Sequence, residues 1–318
     1  MDISLKSATL YLTDVCNSRC RSCNFWKNSR GSWLSTRKWL DAISQLRQEG
    51  IGHISFCGGE PLLRKDLVRL VKEARNTGFS EIEIYTNGLL LTKEVITRMV
   101  AAGANKFTLS IDGLKNTHDT FRGIVGSYDK CIRALSHLSH ETVTVCVATN
   151  LHGELVEGLS ELIDVVDSYG AIWVPNILND RQYYFRGIRK DELAPTALQV
   201  PGIIDSIECA ISTGKRVGIP EEYLPFIASA LAGGTFADMA CIVGLSCIYL
   251  DAAQKVYSGC NVLPPVGDLT VSSLTDILAC ERYKRQVRKM LRRQCPGCTC
   301  SFYMSVESYL RNGDPIER

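Results

Sequence analysis

Short apolar runs alternate with amphipathic stretches over the first two-thirds of the chain. "ATLYLT" (8–13), "HISFC" (53–57), "EIEIYT" (81–86), "KFTLSI" (106–111), "TVTVCVA" (142–148) and "AIWVPNI" (171–177) have the length and residue types of strands. Between them, 35–50, 65–78, 92–103, 127–139 and 154–169 carry apolar residues at helical spacing. Ser35 or Thr36 opens the first of these helices, and Gly50 and Gly78 close the first two. This α/β alternation with short connections predicts a parallel sheet with right-handed crossovers. Spacing alone leaves an open sheet and a partial barrel both possible. In either, chemistry belongs at the C-terminal ends of the strands.

The pattern changes after about residue 178. "NDRQYYFRGIRKDELAP" is polar and irregular, a helix is expected near 198–213, and an apolar stretch runs to about 235. "CIYLDAAQKVYSGC" then reads as a hairpin, with a helix expected at 273–292 and "QCPGCTC" after it. These shifts suggest two units, 1–235 and 236–318.

Composition narrows the class. The 318 residues carry a formal net charge of +2 and are 45% hydrophobic, which gives no argument for a nucleic-acid or membrane-surface partner. The start, "MDISLKSATLYLTDV", lacks the basic and apolar segments of a signal peptide, and no apolar run reaches the ~20 residues of a membrane span. A cytoplasmic location is expected. Fourteen cysteines are the outlier: three lie at 16–23 and seven from Cys241 onward. A reducing compartment disfavours a disulfide framework, so the two clusters suggest metal or iron–sulfur chemistry.

"CNSRCRSC" places Cys16, Cys20 and Cys23 directly after the first strand, with Asn17, Ser18 and Arg19 favouring a loop around a ligand. Three thiolates can hold three irons of a [4Fe–4S] cluster and leave the fourth open. A zinc site with a distant fourth ligand, or three unrelated thiols, is the alternative. In "FCGGEP", two glycines would let backbone approach a ligand closely, and Glu60 would offer a carboxylate to an ammonium group. Alone, "GGEP" reads as a turn.

Together, CxxxCxxC, "GGEP", "IYTNG" (84–88), "LSIDG" (109–113) and "HDTFRGIVGS" (118–127) resemble the radical S-adenosylmethionine (SAM) enzymes over residues 8 to about 177. The resemblance implies a partial (β/α)6 barrel of TIM-like type. It implies a [4Fe–4S] cluster on Cys16, Cys20 and Cys23, with SAM chelating the open iron. Reductive cleavage of SAM would give a 5′-deoxyadenosyl radical that abstracts a substrate hydrogen. By the same resemblance Gly58, Gly59, Glu60 and Pro61 form the methionine-amine site, and Ser110 and Arg122 contact the SAM ribose or carboxylate. Ser110 and Asp112 read equally as a strand-end cap. Asn87 and Asn150 would bond the adenosine or close turns. Cys57 reads as a small, half-buried strand residue.

The C-terminal cysteines resemble the SPASM/twitch extension of that family. Cys241, Cys260, Cys295 and Cys298 are the preferred ligands of one auxiliary [4Fe–4S] cluster, with Cys300 or Cys247 as substitutes. Full SPASM domains use a CxxCx5CxxxC block that is absent here, and Cys280 falls on an expected helix, so one cluster is expected rather than two. Structural zinc is the alternative. The five histidines make no ligand pattern.

The substrate is the least legible part. Tyr183, Tyr184 and Arg186 could line its site, or belong to a solvated loop. The expected reaction is dehydrogenation, epimerisation or decarboxylation of a small polar metabolite such as a sugar, aminocyclitol or nucleoside. A chain that begins about eight residues before its first strand leaves little room for a peptide-recognition domain, which favours that reading. A maturase acting on a ribosomal peptide or protein side chain is the alternative, and a non-catalytic metal-binding protein is a third. A flavodoxin or ferredoxin would supply electrons. Cys247 is the candidate hydrogen donor should the reaction be an epimerisation.

Overall fold

The computed structural model describes residues 5–29, 31, 34–178, 190–234, 241–292 and 294. Its strands are β1 (Ser7–Tyr11), β2 (His53–Cys57), β3 (Glu81–Thr86), β4 (Lys106–Ser110), β5 (Thr144–Leu151), β6 (Ile172–Ile177), β7 (Cys247–Leu250), β8 (Lys255–Tyr257) and β9 (Gly267–Asp268). The helices of the first part are α1 (Phe25–Asn28), α2 (Thr36–Gln48), α3 (Leu67–Thr77), α4 (Lys93–Ala102), α5 (Lys115–Arg122), α6 (Ser127–Leu138) and α7 (Leu159–Ser168). Those that follow are α8 (Lys190–Leu193), α9 (Val200–Ser212), α10 (Leu224–Leu231), α11 (Val243–Ser246), α12 (Leu274–Ala279) and α13 (Glu281–Leu291).

The strands form one sheet in the order β6-β5-β4-β3-β2-β1-β7-β8-β9, parallel from β6 through β7 and antiparallel from β7 to β9. The first six strands, in sequence order with helices between them, form a partial TIM-like barrel. Most outward-facing positions are apolar and pack under the helices: Leu10, Phe56, Ile84, Phe107, Val147 and Trp173 are all fully buried. Trp39, Ile43 and Leu46 of α2 and Leu70 and Val71 of α3 complete that layer. Burying each such side chain contributes about 1.5–3 kcal/mol.

The inward positions differ. Ser7, Thr9 and Tyr11 of β1, His53 and Ser55 of β2, and Glu81, Glu83 and Tyr85 of β3 are only partly buried. A closed barrel packs its lumen with branched apolar side chains. This wall is polar and retains solvent contact.

The C-terminal hairpin extends the barrel sheet. β7 pairs in parallel with β1, Ser7 opposite Cys247 and Leu10 opposite Leu250. Side chains reinforce the join: Gln254 Nε2 donates to the Lys38 carbonyl at 2.8 Å, and Leu274 N–H donates to Gln45 Oε1 at 2.8 Å. The helix expected over 273–292 is two helices, because Cys280 takes an extended conformation (φ −71°, ψ 148°) between α12 and α13. Among the described residues no helix is long and apolar enough to cross a membrane.

Candidate active site at the barrel mouth

The cysteine loop leaves the C-terminal end of β1 and is held there by the "GGEP" segment. Gly59 N–H donates to Thr13 O at 2.8 Å, and Glu60 N–H donates to Val15 O at 2.9 Å. A Cβ on Gly58 (φ +138°) would lie 2.5 Å from Thr13 O, and one on Gly59 would lie 2.2 Å from Val15 O. No side chain fits at either position. The backbone that approaches these glycines on their Cβ side is that of the cysteine loop itself.

Glu60 is held by the chain in the same way. It is fully buried, and its carboxylate already accepts from Leu62 N (3.1 Å), Thr86 Oγ1 (2.8 Å) and Asn87 N (2.8 Å). It ties "GGEP" to the end of β3. Burial pushes its pKa up to about 7 against the pull of those donors. Pro61 is buried at the start of the 3-10 turn that Glu60 caps.

All three loop thiols are free, with Cys20 buried and Cys16 and Cys23 partly so. Ser18 N (3.4 Å) and Asn87 Nδ2 (3.8 Å) donate to Cys16 Sγ, and Arg122 Nη1 donates to Cys20 Sγ at 3.7 Å. Burial pushes Cys16 up to about 11 and Cys23 up to about 12, and raises Cys20 too. Such thiols become thiolates only when a strong positive centre replaces the lost solvation. Among the described residues, no three His, Cys, Asp or Glu side chains converge on a single ion. An iron–sulfur cluster asks instead for one thiolate on each of three irons, and this loop offers that donor set.

α5 closes the other side. Arg19 N–H donates to Arg122 O (3.1 Å) and Arg21 N–H to Phe121 O (2.9 Å), so the end of α5 grips the cysteine loop. Arg122 Nε lies 2.5 Å from Asp112 Oδ2. Asp112 is fully buried, and its Oδ1 accepts from Asn150 N (2.7 Å) and Nδ2 (3.0 Å). Its own N–H donates to His118 Nδ1 at 3.1 Å, which leaves the His118 proton on Nε2. Burial lowers His118 to about 4. His152 Nε2 sits 2.9 Å from Asp112 O, and its ring stacks on Phe121 at 4.1 Å. Ser110 is buried and hydrogen-bonds to Tyr85, whose phenol is pushed up to about 12 by burial. Beside this network, Gly113, Leu114, Glu154, Leu155 and Gly158 line a cavity of about 220 Å³.

The sequence residues Cys16, Cys20, Cys23, Gly58, Gly59, Glu60, Pro61, Asn87, Ser110, Arg122 and Asn150 therefore gather at one end of the sheet. Three aromatics absent from the sequence reading join them: Tyr11 stacks on Phe25 (6.0 Å) and meets Tyr249 edge-on (6.1 Å). Strict alternation in "ATLYL" marks Tyr11 as inward, but nothing local marks its partners.

The C-terminal candidates lie elsewhere. Cys247 starts β7, four residues of strand below the mouth, or about 13 Å at about 3.3 Å per residue. It is buried against Ser7 and Thr9, and burial pushes its thiol up to about 11. Cys241 N–H donates to Met290 O at 3.4 Å near the end of α13. Gly259, next to Cys260, packs on the Val243 and Cys247 carbonyls. Cys241 and Cys260 thus flank the N-terminal end of β7, across the sheet from the mouth. Cys295, Cys298 and Cys300 lie outside the described residues, as do Tyr183, Tyr184 and Arg186.

Comparison with known proteins assigns the family. The model of the radical SAM superfamily matches residues 10–168. The sporulation killing factor maturation protein SkfB of Bacillus subtilis is 30% identical over 169 residues, 52% of this chain and 40% of that protein. The mycofactocin maturase MftC of Mycobacterium tuberculosis is 29% identical over 259 residues, 79% of this chain and 63% of that protein. The chain thus covers less than two thirds of these curated relatives' own length. Streptococcus suis SuiB bound to precursor peptide SuiA has a similar fold, with a TM-score of 0.71 at 14% identity, covering 89% of this chain and 67% of that one. Enzymes of the matched family use SAM and a [4Fe–4S] cluster, and the donors gathered at the mouth suit that pair. The chain belongs to the radical SAM superfamily.

Proposed function

We propose that this protein is a radical SAM maturase that modifies a side chain of a ribosomally made peptide. The observation that carries the reading is the polar, partly exposed inner wall of the sheet below the cysteine loop. Tyr11, Ser55, Glu83 and Tyr85 give a peptide side chain hydrogen-bonding walls below the mouth. The relatives favour peptides over the small polar metabolite expected from sequence: SkfB and MftC are named as maturation proteins, and SuiB binds a precursor peptide.

In this reading Cys16, Cys20 and Cys23 hold the cluster. When bound, cluster and SAM supply one-electron cleavage of SAM and the radical that removes a substrate hydrogen. The chain's own residues position and shield. "GGEP" fixes the loop, Asn87, Ser110, Arg122 and Asn150 border the SAM site, and Phe25, Tyr11 and Tyr249 pack together beside it. The 236–318 segment carries a SPASM/twitch-like auxiliary cluster on Cys241 and Cys260 with Cys295 and Cys298. A flavodoxin or ferredoxin delivers the electron.

Anaerobically reconstituted protein, given SAM and dithionite, should release 5′-deoxyadenosine and methionine. Candidate precursor peptides should raise that release and lose hydrogen by mass spectrometry. Iron-loaded protein that releases no 5′-deoxyadenosine would overturn the radical assignment. Turnover of sugars or nucleosides, with peptides inert, would restore the small-metabolite reading.

A further inference from the structure

Two buried carboxylates near the cysteine loop have no exposed surface, and each is already occupied by protein donors. The geometry points to a shared role: Glu60 and Asp112 are positioning residues that aim N–H donors at two of the three loop thiols and so raise the reduction potential of the cluster they hold. This rests on the reading of Cys16, Cys20 and Cys23 as cluster ligands.

At Cys16 the donor is Asn87 Nδ2, 3.8 Å from Sγ. Asn87 is fixed from three sides. Its backbone N–H donates to Glu60 Oε2 (2.8 Å), its Nδ2 also donates to Asn17 Oδ1 (2.7 Å), and its Oδ1 accepts from Leu89 N (3.0 Å). At Cys20 the donor is Arg122 Nη1, 3.7 Å from Sγ. Arg122 is aimed by its 2.5 Å pairing with Asp112, which two hydrogen bonds from Asn150 hold in turn. The two arrangements come from different strands, β3 and β4, yet share one order: buried acid, donor, sulfur.

Hydrogen bonds and positive charge at a ligating sulfur stabilise the more negative, reduced cluster. The Arg122 guanidinium brings both, so it should count for more than Asn87. A role confined to holding SAM would leave the SAM-free potential unchanged.

The test is an EPR-monitored redox titration of the SAM-free holoprotein. The N-terminal cluster is recognised by the change in its spectrum when SAM is then added. Arg122→Leu should shift its midpoint to more negative potential, Asn87→Leu should do so less, and iron content should be unchanged in both. Asp112→Asn separates aim from charge. Loss of a nearby negative charge alone would raise the midpoint, whereas loss of aim lowers it, and lowering is expected. Should Arg122→Leu not fold, Arg122→Lys keeps charge and bulk but loses the fixed fork, and a smaller negative shift is expected. Wild-type midpoints in these Arg122 and Asn87 variants, with weakened SAM binding, would overturn the inference. A raised or unmoved midpoint in Asp112→Asn would overturn the positioning role of Asp112. Separately, full iron content in a Cys16→Ala, Cys20→Ala, Cys23→Ala variant would overturn the ligand reading on which the inference rests.

Discussion

Phe107 and Thr108 are neighbours on β4 and point to opposite faces. Phe107 is fully buried against the helix layer, while Thr108 donates to Glu83 at 2.5 Å on a wall that also carries Glu81 and Lys106. The same contrast runs along β1 to β3. The outer face is dry and mainly apolar, and its side chains serve packing. The inner face holds carboxylates, thiols, hydroxyls and a lysine that a merely stable barrel would replace with Val, Ile and Leu. One face sets whether the sheet stands, and the other sets what it can hold.

The largest effect should come from the outer face. Phe107→Ala removes a fully buried ring and leaves a cavity that the sheet and helices cannot fill, at a cost of about 3–5 kcal/mol. Urea unfolding of the purified apoprotein checks it. A loss below about 1 kcal/mol would mean that the outer layer is less tightly packed than its burial indicates.

Next comes pH, where the buried network at the mouth opposes itself. Burial raises Glu60 from 4.5 to about 7, so the folded state holds a proton that the unfolded chain loses. Its contribution is full below about 4.5, falls as pH rises toward 7, and is flat above. His118 goes the other way: lowered from 6.5 to about 4, it contributes fully above about 6.5 and loses stability as pH falls toward 4. Each slope is at most about 1.4 kcal/mol per pH unit. Across about pH 4.5 to 6.5 Glu60 therefore offsets part of the rise from His118 and from His152, which burial also lowers, and Glu60→Gln should make that rise steeper. Denaturation midpoints at several pH values measure it. A Glu60→Gln profile parallel to wild type would show that Glu60 does not titrate there.

The contrast between faces also explains what sequence could reveal. Outer-face residues repeat at period two beside helices of period 3.6, so β1 to β6 and their helices were legible locally. The cysteine loop was legible because three thiols in eight residues have few other uses. β7 was not. "CIYL" looks the same as half of a free hairpin or as a strand beside β1, and only the long-range pairing of Ser7 with Cys247 decides. α5 was missed because "KNTHDTFR" buries only His118 and Phe121, too few to show a period. The bracing by Glu60 and Asp112 was hidden for a different reason. A carboxylate at a strand end looks identical whether it faces a ligand or braces two loops, and the donors that settle it, Thr86, Asn87 and Asn150, lie 26 to 38 residues away.

A matched pair of threonines sharpens the comparison at its lower end. Thr149 is fully buried on the outer face, where its hydroxyl donates to Ile111 O (2.7 Å) and accepts from Trp173 Nε1 (2.9 Å). Thr149→Val keeps the shape but strands both partners where no water reaches, and should cost about 2 kcal/mol. Thr108→Val removes one hydrogen bond to Glu83, whose carboxylate keeps solvent contact. Thr108 itself is buried, but Glu83 keeps solvent contact and can turn to water, so the cost should stay below about 1 kcal/mol. The two substitutions are chemically identical and the strands are adjacent, so side-chain volume and β propensity cancel. What differs is the wetness of the face. Equal losses in urea unfolding would mean that the lumen wall is as dry as the outer layer. It would then be a second core rather than a surface built to receive a substrate.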